Sequence, residues 1–199
     1  MRSSMKLIIL FLILLSALYS RNITNITSLI KTVTISDEAI LDANNISCIF
    51  YNNGIWGYNL TEGNWGLEWP KGSGLSPLFA GGIMIGAKVN DEVRVAAIQH
   101  DATEFQPGSL NDDGSPTDPA DPVYRWYELK PGGAGDWSNW PTEQGAPLDQ
   151  EGNPKLTGDQ TIFSIFNDQK KHEYYGSSPL GAEIHQTAWA TEKVWPYRD

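Results

Sequence analysis

Eight tryptophans are the most unusual chemistry in this 199-residue chain, and four of them fall in two related strings. Gly63-Asn64-Trp65-Gly66-Leu67-Glu68-Trp69-Pro70 and Gly135-Asp136-Trp137-Ser138-Asn139-Trp140-Pro141 each set a Gly and an Asn or Asp before a first Trp, then close on Trp-Pro. A Trp ring on a loop joins a large apolar face to one N–H donor, a combination that stacks on sugar rings. Trp65, Trp69, Trp137 and Trp140 are therefore the candidate glycan contacts. The plainer reading is that the same rings seal the ends of a β-sandwich and pin its loops.

The loop Asn111-Asp112-Asp113-Gly114-Ser115-Pro116-Thr117-Asp118-Pro119-Ala120-Asp121 concentrates oxygen ligands of the kind Ca²⁺ takes. Asp112, Asp113, Asp118 and Asp121 are the candidate ligands of a structural Ca²⁺, and no other cofactor is expected. Their spacing does not follow the twelve-residue calcium loop, and a solvated turn rich in Asp and Pro fits as well. Carboxylates are plentiful, among them Glu62, Glu68, Glu104, Asp168 and Glu183, so an exported glycoside hydrolase is a third reading. Their separation in space would decide it.

Other chemistries lack their residues. His100, His172 and His185 have no second His or Cys at zinc-ligand spacing. Gly81 to Lys88 superficially resembles a phosphate loop, but Ala87 separates Gly86 from Lys88, and the segment alternates like a strand. Gly81 and Gly82 more simply let a ring or backbone come close. Cys48 is the single cysteine, so no disulfide within the chain is possible; its place in Ile46-Ser47-Cys48-Ile49-Phe50 reads as a buried thiol. A net charge of −10 argues against nucleic acid and anionic membrane surfaces as partners. No enzymatic activity is expected.

The elements that position these residues read as strands and turns. Nineteen Gly and twelve Pro fit many short strands better than long helices. The clearest element is a hairpin in which Ile83, Ile85, Ala87 and Val89 alternate on one arm and Val93, Val95 and Ala97 on the other. A three-residue connection Asn90-Asp91-Glu92 would set Val89 opposite Val93 and Ala87 opposite Val95, a face expected to enter the core. Residues 124–129, 161–166 and 182–190 are further strands, separated by long loops over 106–122 and 130–158. Ser36 to Asp42 reads as one capped helical turn. The expected fold is all-β, an antiparallel β-sandwich with long Gly/Pro/Trp-rich loops, preceded by an N-terminal signal helix.

Arg2 and Lys6 precede an apolar run from Leu7 to Tyr19, too short to span a bilayer, which takes about 20 residues. Residues 1–20 read as a secretory signal peptide, residues 21–44 as a tether and first strand, and residues 45–199 as the sandwich domain. The expected location is secreted or cell-surface, with membrane contact only through the signal segment if it stays uncleaved. Polysaccharide or other surface proteins are the partners this implies.

Several strings recur in a recognisable order: Tyr51-Asn52-Asn53-Gly54, Trp69-Pro70-Lys71-Gly72, Ala80 to Ala87, Glu104-Phe105-Gln106-Pro107-Gly108, Trp140-Pro141 with Gly145-Ala146-Pro147, Gly158-Asp159-Gln160-Thr161 leading to Phe166-Asn167-Asp168, and Pro179-Leu180-Gly181-Ala182-Glu183. Over residues 45–190 the set resembles the N-terminal region of large, mostly uncharacterised secreted bacterial proteins that often carry a C-terminal type-nine-secretion sorting domain. The resemblance implies export and a structural or adhesive role on or outside the cell, and it assigns no catalytic residues. Such chains continue into more β-structure, so the resemblance also implies an N-terminal fragment or truncated product with a strand edge left unpaired.

Overall fold

β-branched and aromatic residues broken by Gly and Pro favour strands over helices, and the computed structural model, which describes residues 37–100 and 102–192, is all-β. The strands are β1 (Glu38–Leu41), β2 (Ser47–Tyr51), β3 (Tyr58–Asn59), β4 (Asn64–Trp65), β5 (Leu67–Glu68), β6 (Met84–Val89), β7 (Glu92–Ala97), β8 (Gln106–Pro107), β9 (Tyr127–Leu129), β10 (Gln160–Asn167) and β11 (Glu183–Ala190). Three short 3-10 turns, Pro131–Gly133, Trp137–Asn139 and Thr142–Gln144, order the loop before β10. The signal and tether expected over residues 1–36 lie outside the described residues. No helix among the described residues is long and apolar enough to cross a membrane.

All strand pairing is antiparallel. One sheet runs β1-β2-β5; a second runs β11-β10-β8, with β9 also on β10; β3-β4 and β6-β7 are separate hairpins. β10 is the centre, buried at every residue. Its side chains alternate between two cores, as a strand's must. Ile162 packs with Cys48 and Phe50 of β2 and with Trp126, joining the two larger sheets face to face. Phe163 and Ile165 point the other way, into a core with Tyr127, Leu129, Trp140 and Ala146 that the 130–158 loop covers. Each such side chain contributes about 1.5–3 kcal/mol on leaving water.

Two local expectations are corrected. Where the sequence predicts one capped helical turn over Ser36 to Asp42, Glu38–Leu41 is an edge strand whose Ala39 and Leu41 pack on the Cys48–Phe50 core, and Ser36 lies outside the described residues. Asp37 caps no helix; its carboxylate accepts the Trp126 N–H at 2.7 Å. The β6–β7 loop has two residues rather than three, because Asn90 (φ 50°) and Asp91 (φ 66°) both enter the left-handed region and match the strand twist. Val89 therefore pairs with Glu92, Lys88 with Val93 and Ala87 with Arg94. That register separates Lys88 from Arg94 and gives Lys88 an ion pair with Asp91 at 2.7 Å. It also leaves the outer hairpin in solvent: Val93 is 71% and Met84 65% exposed, while Ala96 and Ala97 are buried.

Cys48 is buried, and burial pushes its thiol up to about 12. Gly81 passes directly over the Trp56 indole, where a Cβ would overlap the ring.

Without disulfides, buried polar side chains tie the loops to the sheets. The Gln160 carboxamide donates to Ile40 O at 2.7 Å and accepts from Asp42 N at 2.7 Å and Ala43 N at 2.9 Å. Asp168, fully buried, accepts the N–H groups of Leu180, Gly181 and Ala182. Glu104, 1% exposed, accepts from Ala97, Tyr174 and Tyr175. Each unpaired buried donor costs about 1–3 kcal/mol. Asp168→Ala is therefore expected to lower the urea-unfolding free energy by about 3–5 kcal/mol, and Asp168→Asn by less, since one acceptor oxygen remains. Cys48 should resist a thiol reagent at pH 8 in the folded chain and react fully in denaturant.

Candidate ligand-binding surface

Antiparallel pairing of β3 with β4 sets Tyr58 opposite Trp65, so both project from one face of that hairpin. Tyr58 is buried; its ring meets Phe79 edge-on at 5.3 Å and His100 at 5.5 Å, and Phe79 lies 5.7 Å from His100. Phe79 is 54% exposed. Beside it opens a cleft of about 430 Å³ lined by residues 78–82 and 98–100. Here Gly82 lies against Ile98, so no side chain narrows the floor.

A second apolar projection adjoins in sequence. Trp69 N–H donates to Leu75 O, closing the loop 69–75, and the Glu68 carboxylate accepts from Gly72 and Gly74 inside it. Those two N–H groups hold the Glu68 carboxyl below the usual carboxylate range. Gly72 and Gly74 both have positive φ, which glycine adopts without strain. The result is a fixed loop bearing Trp69, 53% exposed, and Leu75, 64% exposed.

The structure divides the four candidate tryptophans. Trp65 and Trp69 are at the surface. Trp137 is half-buried, its Nε1–H shared between Lys130 O and Ala134 O. Trp140 is 6% exposed, donates Nε1–H to Pro147 O at 2.9 Å and lies 6.0 Å from the Phe163 ring. The second pair pins the 130–158 loop, with Trp140 buried and Trp137 half-buried. Phe79 and His100 join the surface instead; nothing in their local sequence marks them, because the Tyr58 that gathers them lies twenty residues and more away.

The acidic loop folds on itself. Asp113 accepts from Ser115, Asp118 from Ala120 N and Asp121 from Val123 N, each within its own turn, and Asp112 is exposed. The Ser115 bonds hold the Asp113 carboxyl low. No three His, Cys, Asp or Glu side chains converge as a metal site among the described residues.

Two further groupings have catalytic residue types. Ser177 Oγ lies 3.3 Å from His172 Nδ1, and the His172 Nε2 lies 2.8 Å from Asp168 O and 3.8 Å from its carboxylate. Asp168 and His172 are buried, and the Asp168 carboxylate is held by three backbone N–H groups. Ser177 Oγ is fixed between Val95 N and Val95 O, at 3.0 and 2.8 Å. The trio closes a strand edge, Ser177 bonding the β7 backbone. Glu143 and Glu183 line a cleft of about 550 Å³ with Tyr124 and His185. Glu183 accepts the Leu110 N–H and pairs with His185 at 2.6 Å, so its oxygens already have protein partners.

N-bromosuccinimide should oxidise Trp69 and Trp189, 57% exposed, first, and Trp126 and Trp140 only on unfolding, as read by peptide mass spectrometry. No family model, no curated protein and no solved structure matches this chain.

Proposed function

We propose that this chain is a non-enzymatic adhesive module of an exported protein, and that it holds polysaccharide on the aromatic surface formed by Trp65, Trp69, Phe79 and His100. The observation that carries this reading is the exposure, by half or more, of Trp69 on a loop fixed by hydrogen bonds and of Phe79 beside a cleft. Large apolar rings held in water are a standing cost unless a partner covers them. A sugar's C–H face covers a ring while its hydroxyls stay solvated, which suits a flat, open surface better than a deep pocket does. The buried carboxylates Glu104 and Asp168 serve the backbone, which favours binding over hydrolysis. Export rests on the basic-apolar character of residues 1–20.

The test is a titration with a panel of soluble polysaccharides, followed by tryptophan fluorescence. At least one member should change the emission saturably. Trp69→Ala and Phe79→Ala should each weaken it about tenfold or more, which is ~1.4 kcal/mol. Trp137→Phe should lower stability and leave affinity unchanged. A panel without any fluorescence response would overturn the glycan assignment.

A further inference from the structure

Several sheet edges in this fold are closed by side chains, and the longest edge strand is left open. On β7, Ser177 Oγ bonds both Val95 N and Val95 O, while Glu104 takes Ala97 N at 3.0 Å and returns its own N–H to Ala97 O at 3.0 Å. On β1, the Gln160 carboxamide bonds Ile40 O and Asp42 N as a neighbouring strand would. On β9, Asp136 accepts Glu128 N at 2.8 Å and donates to Glu128 O. β6 is open at Met84, Gly86 and Lys88, but it belongs to a two-stranded hairpin and carries the kind of charged residue that guards an edge.

β11 has no such device. Asp168 N bonds Ala182 O, so in the alternating antiparallel pattern Ile184, Gln186 and Ala188 turn their backbone groups toward β10. Glu183, His185, Thr187 and Trp189 turn theirs outward, and none of those eight groups has a partner among the described residues. The strand is eight residues long and contains no Lys, Arg, Pro or Gly. An edge so long and unguarded is a template for another strand.

We propose that β11 is a docking edge for an extended segment of a second polypeptide, one that alternates apolar with cationic side chains. The two faces of β11 set that chemistry. Ile184 packs on the Phe105–Phe166 core and Ala188 on the Cys48–Phe50 core, so residues added beside them extend the space between the sheets and must be apolar. Gln186 lies between, with Oε1 buried and unpartnered, a site for one added donor. The opposite face presents Glu183, with Glu143 lining the same cleft, and the exposed ring of Trp189. Lysine or arginine pairs with the Glu143 carboxylate at that cleft and stacks on the indole. A net charge of −10 favours a basic partner and opposes a second copy of this chain.

The probe is a fluorescein-labelled peptide alternating Lys and Val over eight residues, titrated against the full chain by anisotropy with amide hydrogen exchange in parallel. Binding should be saturable and should slow exchange at His185, Thr187 and Trp189. The same peptide N-methylated at alternate residues cannot complete the ladder and should bind at least tenfold more weakly. Thr187→Lys adds an edge charge without touching the core and should weaken the Lys/Val peptide at least fivefold. Equal binding of the N-methylated peptide, or protection elsewhere, overturns the proposal. So does a concentration-dependent dimer that protects the same amides, which assigns the edge to a second copy. Tight binding only by a chain ending at Glu192 assigns it to the chain's own last residues.

Discussion

Buried backbone N–H and C=O groups must be paired, and this chain meets that demand with side chains where its strands are too short. Most of its strands have six residues or fewer, so sheet ladders alone leave many groups open. Gln160, Glu104, Asp136, Asp168 and Ser177 fill the gaps, bonded to backbone from 7 to 118 residues away in sequence. In a domain of this size such crosslinks are the alternative to disulfides, and the single buried Cys48 leaves no covalent route within the chain. The Asp136 carboxylate shows how closely the staples are combined. Its burial is outweighed by bonds from Arg125 and the Glu128 N–H, which hold it ionised at low pH.

This use of carboxylates narrows the chemistry the fold supports. A carboxylate saturated by three backbone donors, as Asp168 is, neither coordinates a metal nor attacks a substrate. The same holds for Glu104. Among the described residues Glu104 and Asp168 are the buried carboxylates, and the other acids stand at or near the surface.

The sequence shows the strands at 161–166 and 182–190 by their β-branched and aromatic residues, and β10 and β11 lie there. It shows the β6–β7 hairpin by the alternation of its apolar residues. It does not show the register, because Asn90-Asp91 and Asn90-Asp91-Glu92 are both acceptable turns and only the strand twist chooses between them. The two Trp-Pro strings look alike, yet one surfaces and one is buried. What separates them is Phe163 and the Pro147 carbonyl, which receive Trp140 from a distance no local pattern records. The staples are equally hidden, since Gln160 and Ile40 lie 120 residues apart.

A repeated turn explains how the two long loops hold their shape. Leu110-Asn111-Asp112-Asp113-Gly114-Ser115-Pro116 and Leu148-Asp149-Gln150-Glu151-Gly152-Asn153-Pro154 share a pattern of Leu, an Asn or Asp, Gly, then Pro. In each the Leu and Pro form a β-bridge, the Gly takes a positive φ, and the residue after Leu bonds the residue before Pro. Each is a miniature hairpin, so the loops around it are tethered at short intervals rather than free over their length. Loop 69–75 follows the same logic with Glu68 as the anchor. Surfaces built on such loops lose little conformational entropy when a ligand arrives. Rigidity set by turns is therefore what holds Trp69 in solvent without its loop collapsing around it.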